Sequence, residues 1–269
     1  MQNKTVIITG ASSGIGYACA MEFASMGSSV VLAARKLDVI EKTANEMREL
    51  GFDATAVQTD VSRENECKNL IDATIENYGK IDILINNAGI SMRALFEEVD
   101  LEVLRKLMDV NFWGTVYCTK FALKHLIDTK GSVAGISSIA GFQGLPGRTG
   151  YSASKFAMHG FLESLRIENM HRGLHVLLAA PGFTSSNIRK TALDAAGSQQ
   201  GESPRSEEKM MPAAVVAKKI YRAIKKRNRS LILTSQGKST VFMKKIFPGL
   251  LERMVYRHFS EEPDSPLKK

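Results

Sequence analysis

Tyr151 and Lys155 are four residues apart, a spacing that places both side chains on one face of a helix. A free tyrosine has a pKa of about 10, which is too high for efficient proton exchange near neutral pH. The charge of a lysine one turn away favours the tyrosinate and is expected to lower that pKa. The pair is therefore a candidate acid/base, although the same spacing is also common in ordinary surface packing.

Ser138 follows a predicted strand, Ser132–Ser137, and precedes the helix that carries Tyr151. A hydroxyl in that place can polarise a carbonyl group and stabilise the oxyanion that develops when a hydride is added. The alternative role of this serine is to cap the strand. A serine hydrolase is not expected, because the GxSxG turn that exposes the nucleophile in such enzymes does not surround Ser138.

Glycine residues separate the first predicted strand, Thr5–Thr9, from the first predicted helix. They lie in the segment Gly10-Ala11-Ser12-Ser13-Gly14-Ile15-Gly16. Glycines let the backbone approach a pyrophosphate group, and a helix N-terminus offers that group free N–H donors and a partial positive charge. The spacing differs from GxGxxG, and glycine turns alone are weak evidence, but a position directly after the first strand favours a dinucleotide site.

The end of the second predicted strand, Ser29–Ala34, indicates which dinucleotide is bound. NAD-dependent enzymes usually place an acidic residue there, which holds the ribose 2′-hydroxyl. This chain has Arg35 and Lys36 instead. Arg35 can hold a 2′-phosphate through two parallel hydrogen bonds, so the sequence predicts NADP(H), with an ordinary surface arginine as the alternative.

Strand-like and helix-like segments alternate along the chain, which predicts an α/β fold with a doubly wound parallel sheet. The remaining predicted strands are Ala54–Gln58, Asp82–Asn86, Ser132–Ser137, His175–Ala180 and Ser230–Leu233. The predicted helices are Gly14–Met26, Leu37–Leu50, Arg63–Tyr78, Leu101–Asp128, Ser152–His171 and Ala213–Arg227.

No linker divides this pattern, so residues 1–238 are predicted to form one catalytic domain and residues 239–269 a basic C-terminal extension. The segment Asn187–Met211 lacks apolar periodicity. A loop of that length inside a compact domain is usually functional or mobile, and its position after the sixth strand predicts a substrate lid.

Four motifs occur in order between residues 4 and 235, and together they resemble the single-domain type of the short-chain dehydrogenase/reductase family. They are TGxxxGIG at 9–16, Asn86-Asn87-Ala88-Gly89, Ser137-Ser138 and Tyr151-Ser152-Ala153-Ser154-Lys155. The resemblance implies a Rossmann-like sheet of seven strands between two helical layers. It also implies hydride transfer between NADP(H) and a substrate, which interconverts a ketone and a secondary alcohol.

The resemblance implies a role for each matching residue. Tyr151 would be the acid/base, and Lys155 would assist it and bind the nicotinamide ribose. Ser138 would hold the substrate carbonyl, and Asn111 would tether a water in the proton relay. The implied cofactor-binding residues are Gly10, Ser12, Ser13, Gly14, Ile15, Gly16, Arg35, Asp60, Val61, Asn87, Ala88, Gly89, Tyr151, Lys155, Pro181, Gly182, Thr184 and Ser186.

Three residues depart from the family pattern. Thr184 stands where an aliphatic residue is usual, and Ser186 stands where a threonine is usual. A hydroxyl remains at the second position, so cofactor binding is expected to survive. Gly135 lies inside a predicted strand, which a glycine weakens, and the sequence alone offers no functional reason for it.

The predicted substrate pocket is mostly apolar, which favours a bulky hydrophobic carbonyl, such as a steroid or long-chain 3-keto lipid, over a sugar. It consists of Ser138, Phe142, Gln143, Leu145 and Phe183. The Leu145-Pro146-Gly147 stretch and the C-terminal extension resemble the membrane-associated steroid and lipid-ketone reductases of the family.

Two further expectations come from the family as a whole. Its members often pair subunits through the helices that are predicted here at 101–128 and 152–171, so a homodimer or homotetramer is expected. The alternative function is an NADP(H)-binding regulatory protein without significant turnover. Family members that lose catalysis usually lose the tyrosine or the lysine, and this chain has both Tyr151 and Lys155.

Composition limits the class of protein. The chain has 269 residues, 44% of them hydrophobic, but no uninterrupted apolar stretch of about 18 residues. Residues 6–8 run into a glycine turn without a signal-peptide pattern, so a cytoplasmic protein is expected. Three scattered cysteines predict buried, reduced thiols, and histidines without ligand spacing predict that no metal is bound.

The net charge of +8 is concentrated near the C-terminus, where residues 209–259 hold 13 basic residues and one acidic residue. This concentration favours contact with an anionic partner, with a merely solvated face as the alternative. Nucleic acid is not expected, because aromatic residues do not alternate with the basic ones and no reader motif occurs.

Apolar residues recur at helical spacing within this basic segment. They are Met243, Ile246, Phe247, Leu250 and Met254, with Tyr256 and Phe259 as further aromatic residues. The pattern predicts one short helix, with Pro248 as a place for a kink. Such a helix either lies on an anionic membrane surface or packs against protein, and the sequence leaves both alternatives open.

Overall fold

The computed structural model describes residues 1–185, 187–201, 210–262 and 265–268, and a parallel sheet of seven strands forms its centre. The strands are β1 Thr5–Thr9, β2 Ser29–Ala34, β3 Ala54–Gln58, β4 Ile83–Asn86, β5 Ser132–Ile136, β6 His175–Ala180 and β7 Ser230–Ile232. Each agrees with its predicted strand to within one residue at either end. The expected Rossmann-like fold is therefore confirmed.

Helices cover both faces of the sheet. One layer consists of α1 (Gly14–Ser25), α2 (Leu37–Glu49) and α7 (Ala213–Lys225), and the other of α3 (Glu64–Tyr78), α5 (Gly114–Asp128) and α6 (Thr149–Glu168). Neighbouring strand residues such as Ile7 and Ile8 are fully buried in opposite cores. Burial of each such side chain contributes about 1.5–3 kcal/mol, so the two cores hold the sheet between its layers.

The strand order β3-β2-β1-β4-β5-β6-β7 reverses between β1 and β4, and ligands of such sheets bind in the crevice at this point. The turns that follow these two strands are joined directly. The Asn87 side chain donates to the carbonyl oxygens of Thr9 at 2.9 Å and Gly10 at 3.2 Å. The Thr9 hydroxyl accepts from the backbone N–H groups of Asn87 and Ala88, both at 3.0 Å. The two turns therefore form one rigid unit at the crevice.

The predicted helix Leu101–Asp128 is present, but a π-helical turn interrupts it. Helix α4 (Leu101–Met108) leads into this turn at Asp109–Trp113, and α5 follows it. Such turns are rare and frequently occur at functional sites. This one carries Asn111, whose side chain is fully buried.

Gly135 in β5 permits a close approach of helix α6. A side chain at this position would collide with Leu162 and would meet the sulfur of Met158 at 3.3 Å. Helix α6 also carries Tyr151 and Lys155. Gly135, which the sequence left unexplained, therefore lets α6, the helix that carries Tyr151, pack closely on the sheet.

The C-terminal segment forms two helices, not the single one predicted. Helix α8 (Ser235–Ile246) ends before Phe247, and α9 (Pro248–Ser260) begins with a proline in its first turn, where a missing N–H is tolerated. The expected boundary between residues 238 and 239 falls inside α8. None of the helices in the described ranges has the length and apolar character needed to cross a membrane.

The described part of the segment Asn187–Met211 has no regular helix or strand, as expected, but it is attached to the body. Leu193 is buried, its N–H donates to the carbonyl of Ser91 at 2.9 Å, and its carbonyl accepts from Arg93 at 2.8 Å. The segment therefore lies along the residues that follow β4. Residues 202–209 of the predicted lid lie outside the described residues.

Candidate active site

A cavity of about 680 Å³ opens beyond the carboxyl ends of the central strands. Most of the predicted site residues line it, namely Gly10, Ser12, Ser13, Gly14, Ile15, Arg35, Asp60, Val61, Asn87, Ala88, Gly89, Ser138, Leu145, Tyr151, Lys155, Pro181, Gly182, Phe183 and Thr184. A second cleft, of about 750 Å³, lies between residues 143–152 and helix α9. The first cavity is the candidate active site, because it alone of these two contains Ser138, Tyr151 and Lys155.

Two predicted substrate contacts, Phe142 and Gln143, do not line this cavity. The ring of Phe142 packs edge-on against His159, with ring centres 4.5 Å apart, and Gln143 is buried beside the second cleft. The reason is a short 3-10 turn, Ile139–Gly141, which begins directly after Ser138 and turns the chain away from the cavity. Ile139 lines the cavity instead.

Of the predicted cofactor residues within the described chain, Gly16 alone does not line the cavity. Gly16 is buried, and a side chain there would collide with the carbonyl oxygen of Gly10, so this glycine permits the turn to close. Ser186 lies outside the described residues.

Tyr151 and Ser138 stand side by side in the cavity wall. The Ser138 hydroxyl lies close enough to the Tyr151 phenol to act on its pKa. The Ser138 hydroxyl also accepts from the N–H of Ala140 at 3.2 Å, because Ser138 caps the 3-10 turn. The two hydroxyls, one from the end of β5 and one from α6, are therefore placed to contact a single substrate oxygen.

Lys155 lies one helical turn beyond Tyr151 and is almost completely buried. Its ammonium donates to the carbonyl oxygen of Ile136 at 3.0 Å and lies 5.8 Å from the centre of the Tyr151 ring. Burial lowers the pKa of Lys155 to about 8, since an apolar environment disfavours the charged form.

The pKa of Tyr151 departs from its expected direction. Burial raises this pKa above its usual value of about 10. The Ser138 hydroxyl and the charges of Arg148 and Arg189 lower this pKa, but their combined effect is smaller. The expected lowering by Lys155 does not contribute to this shift, and the Lys155 ammonium is bound at the Ile136 carbonyl.

The Asn111 side chain is held entirely by protein groups. Its amide oxygen accepts from the N–H of Ile90 at 2.8 Å, and its amide nitrogen donates to the Ile90 carbonyl and to Ser154 Oγ, both at 2.9 Å. Asn111 therefore fixes the segment after β4 to helix α6. The water tether that the resemblance implies stays a prediction.

The cofactor half of the cavity fits a dinucleotide. The first residues of α1 line it, and Ser13 caps that helix without a side-chain hydrogen bond to its amides. Gly10 adopts a φ of +66°, and a Cβ there would come within 2.8 Å of Ala88 Cα. A Cβ at Gly89 would approach Asn111 Oδ1 to 3.1 Å and Lys155 Nζ to 3.5 Å. The glycines thus let the two turns, Asn111 and Lys155 pack closely around the part of the cavity that a pyrophosphate and a ribose would occupy.

Positive charge lies at the far end of this half. Arg35 and Lys36 are exposed and line the cavity directly after β2. Asp60 lines it as well, but its carboxylate accepts from the N–H of Ser62 at 3.0 Å and from the Ser62 hydroxyl at 2.7 Å. The carboxylate of Asp60 therefore stabilises its own turn.

The other half of the cavity contains residues that sequence reasoning missed. Several come from the C-terminal helices and the segment before them. The missed residues are Ile139, Arg148, Thr234, Gln236, Gly237, Thr240, Val255, His258 and Phe259, whereas Ile188, Arg189 and Leu193 belong to the predicted lid. The sequence held one signal that the C-terminal helices pack on the body: Leu251 and Phe259 are apolar but lie outside the stripe of exposed apolar residues. In the structure both side chains are buried.

Comparisons with known proteins agree with this geometry. Residues 4–196 match the family model of short chain dehydrogenases. The chain is 36% identical over 267 residues, covering 94% of itself and 75% of the relative, to 11-beta-hydroxysteroid dehydrogenase A of Arachis hypogaea. It is 34% identical over 266 residues, or 96% of itself and 83% of the relative, to the dehydrogenase/reductase SDR family protein 7-like of Dictyostelium discoideum.

Solved structures share the fold. An alcohol dehydrogenase from Thermococcus sibiricus, complexed with 5-hydroxy-NADP, aligns with a TM-score of 0.76 and 26% identity, over 86% of this chain and 96% of that one. A short chain dehydrogenase/reductase from Burkholderia phymatum, in complex with NAD, aligns with a TM-score of 0.83 and 24% identity, over 93% of this chain and 95% of that one. The chain belongs to the short-chain dehydrogenase family of oxidoreductases.

Proposed function

We propose that this protein is an NADP(H)-dependent oxidoreductase that interconverts a ketone and a secondary alcohol, chiefly by reducing a bulky hydrophobic carbonyl. The observation that carries the proposal is the pair of hydroxyls of Ser138 and Tyr151, which line the same cavity and interact with each other. Lys155 lies beside them in the same cavity, with its ammonium 5.8 Å from the centre of the Tyr151 ring.

Bound NADPH supplies the hydride that adds to the carbonyl carbon. The Ser138 and Tyr151 hydroxyls donate hydrogen bonds to the carbonyl oxygen and stabilise the negative charge that grows there. Tyr151 then transfers its proton to this oxygen, and the product is the alcohol. Arg148 and Arg189 favour the tyrosinate that remains, which is reprotonated before the next turnover.

The preference for NADP(H) over NAD(H) rests on Arg35 and Lys36. Both line the cavity at the end of β2, where the 2′ position of the adenosine ribose is held in sheets of this topology. A guanidinium group there matches a 2′-phosphate in charge and geometry.

The substrate class rests on the walls of the other half of the cavity. Leu145, Phe183, Ile188, Leu193 and Phe259 offer an apolar lining. Such a lining suits a steroid or a long-chain 3-keto lipid, with the carbonyl held at the polar end by Ser138 and Tyr151. The relatives described as 11-beta-hydroxysteroid dehydrogenases support this class.

The outer surface of α8 and α9 supports a location at the cytoplasmic face of an anionic membrane. Its large apolar side chains, each at least half exposed, are Phe242, Ile246, Phe247, Leu250, Met254 and Tyr256. Lys244, Lys245, Arg253 and Arg257 lie on the same two helices. Exposed apolar groups among basic ones are typical of a segment that lies on anionic lipid.

A homodimer or homotetramer is also part of the proposal. Trp113 and Phe156, from the π-helical turn and α6, are exposed, and Trp113 stacks on Tyr117 with ring centres 5.5 Å apart. Exposed aromatic residues of this kind are enriched where subunits meet.

The deciding experiment is NADPH oxidation measured against a panel of steroids, 3-keto lipids and small ketones. We expect turnover with one or more bulky hydrophobic ketones and a stoichiometric amount of alcohol as product. Tight NADPH binding without turnover of any member of the panel would support the alternative, a regulatory protein that binds NADP(H).

A further inference from the structure

We propose that Glu262 is a positioning residue that holds helix α9 over the substrate half of the cavity. It does so by linking the C-terminal segment to Arg93 and Arg148. The proposal rests on the proposed function, because it explains how a cavity for bulky substrates is closed.

The three charged groups form a buried cluster. The Glu262 carboxylate lies 3.8 Å from Arg93 Nη2 and 3.7 Å from Arg148 Nη2. The exposed fractions of the side chains are 4% for Glu262, 11% for Arg93 and 14% for Arg148. Exposed ion pairs on helix surfaces contribute little, but charges this well shielded interact strongly, and removing one of them is costly.

Arg148 connects this cluster to the catalytic helix. It directly precedes α6 and lies three residues before Tyr151. Its guanidinium stacks on the ring of Phe259 at 4.8 Å, and both side chains line the cavity. Arg148 therefore contacts the C-terminal segment twice, through the ring of Phe259 on α9 and through the carboxylate of Glu262 just beyond it.

Arg93 connects the cluster to the segment that follows β6. Its N–H donates to the carbonyl of Leu193 at 2.8 Å, and its own carbonyl accepts from the Gln200 side chain at 3.3 Å. Leu193 lines the cavity. Glu262 thus lies where three walls of the substrate half meet: the residues after β4, the start of α6, and the end of α9.

The two sides of α9 have different surroundings. Val255 and Phe259 face the cavity, whereas Leu250 and Met254 are exposed on the opposite side. The inner side of α9 can contact a bulky substrate only while the helix is held against the cavity. A small ketone, which needs few of these contacts, should depend on Glu262 much less than a bulky one.

The test compares Glu262→Gln with Glu261→Gln. Glu261 is the adjacent residue, but its carboxylate is exposed and pairs with Arg257 on α9 itself at 3.0 Å. We expect Glu262→Gln to raise KM for a bulky ketone by about tenfold or more, with a much smaller change for a small ketone. The dissociation constant of NADPH should stay near its unaltered value, and Glu261→Gln should behave as the unaltered protein does.

Hydrogen exchange supplies a readout that does not depend on turnover. Amides of residues 248–262 should exchange faster in Glu262→Gln than in Glu261→Gln, while amides of the sheet are unchanged. Glu262→Asp keeps the charge and should recover part of the lost affinity for the bulky ketone. Arg93→Gln removes the other side of the link without touching the cavity lining, and should reproduce the change in exchange and in KM.

The outcomes separate the two proposals. Unchanged exchange of α9 in both Glu262→Gln and Arg93→Gln overturns the role of Glu262, whatever the activity. Equal effects of Glu262→Gln on bulky and small ketones also overturn it. If no ketone is turned over but α9 exchanges faster in both variants, the proposed function fails and the positioning role stands.

Discussion

Lys155 donates a hydrogen bond to the carbonyl oxygen of Ile136 at 3.0 Å, which holds its ammonium at the end of β5. Tyr151 on the same helix face interacts instead with the Ser138 hydroxyl. The two catalytic candidates are therefore attached to the sheet through different partners. Substitution of one should leave the position of the other largely intact, so their effects can be measured separately.

Replacement of Tyr151 by Phe removes the proton donor and keeps the ring in its buried site. We expect turnover to fall about 10²- to 10⁴-fold, the usual contribution of a general acid, with NADPH affinity near that of the unaltered protein. Steady-state kinetics and cofactor titration measure the two quantities. Tyr256→Phe, at an exposed position of α9, is the matched control. Substantial turnover by Tyr151→Phe would show that another group supplies the proton.

Replacement of Lys155 by Met should weaken both turnover and NADPH binding, because its ammonium lies beside Tyr151 in the cavity and is expected to bind the nicotinamide ribose. The same change should raise stability. Burial lowers the pKa of Lys155 from 10.5 to about 8, so keeping it charged at neutral pH costs up to about 3 kcal/mol. Denaturant unfolding at neutral pH measures this, with Lys120→Met, at an exposed position of α5, as the control. A lower free energy of unfolding for Lys155→Met contradicts the argument.

Replacement of Arg35 by Ala should remove most of the preference for NADPH over NADH. A charge-assisted contact with the 2′-phosphate contributes about 1.5–3 kcal/mol, which corresponds to roughly a 10- to 150-fold change in NADPH affinity. Binding of NADH should change little. Arg105→Ala, an exposed arginine of α4, serves as the control in fluorescence titrations of both cofactors. Equal affinities for both cofactors in the unaltered protein contradict the NADP(H) proposal.

Replacement of both Phe247 and Leu250 by Ser should release the protein from anionic vesicles. Both side chains are more than half exposed, so the fold and the inner side of α9 should survive. Deletion of the segment after residue 238 is a poorer test, since it cuts α8 and removes Phe259 from the cavity. Sedimentation with anionic vesicles at low salt measures binding, and added salt should weaken it by screening about 1 kcal/mol per basic residue.

The control for this experiment is Leu50→Ser, an exposed leucine at the end of α2. It should leave vesicle binding unchanged. If the unaltered protein does not sediment with anionic vesicles at low salt, the membrane proposal fails. If the same double substitution instead dissociates a dimer, a second copy of the chain covers this surface.

Acid should destabilise the protein through His159. This buried side chain lies 2.6 Å from the Ser137 hydroxyl, and burial, with a smaller effect of Lys155, lowers its pKa from 6.5 to about 4. Between these values the unfolded chain binds a proton that the folded chain does not. The free energy of unfolding therefore falls as pH decreases from about 6.5 to about 4, by roughly 3 kcal/mol at most.

His159→Gln removes this titration and should flatten the dependence of stability on pH across the same window. Burial also lowers the pKa of His175, so part of the slope should remain. Urea unfolding at several pH values within and above the window measures the two curves. Identical slopes for the unaltered protein and His159→Gln contradict the assignment to His159.

The sequence by itself determined where the seven strands lie along the chain and where the six helices of the two layers and α4 lie. It also determined the family. These depend on local information: apolar periodicity, glycine turns at strand ends, and motifs whose spacing is set by one helix or one turn. The parallel sheet then brings strand ends together, so Gly10, Asn87, Ser138 and Tyr151 line one cavity although they lie far apart along the chain.

Only the tertiary structure decided what depends on contacts between distant segments. The sequence could not exclude Phe142 and Gln143, because one 3-10 turn reverses the side on which they lie. It predicted the wrong direction for the pKa of Tyr151, because burial outweighs the neighbouring charges. It also separated α9 from the catalytic domain, whereas Glu262 reaches Arg93 and Arg148 across the fold. Desolvation and long-range ion pairs depend on how the whole chain packs, and no local pattern records them.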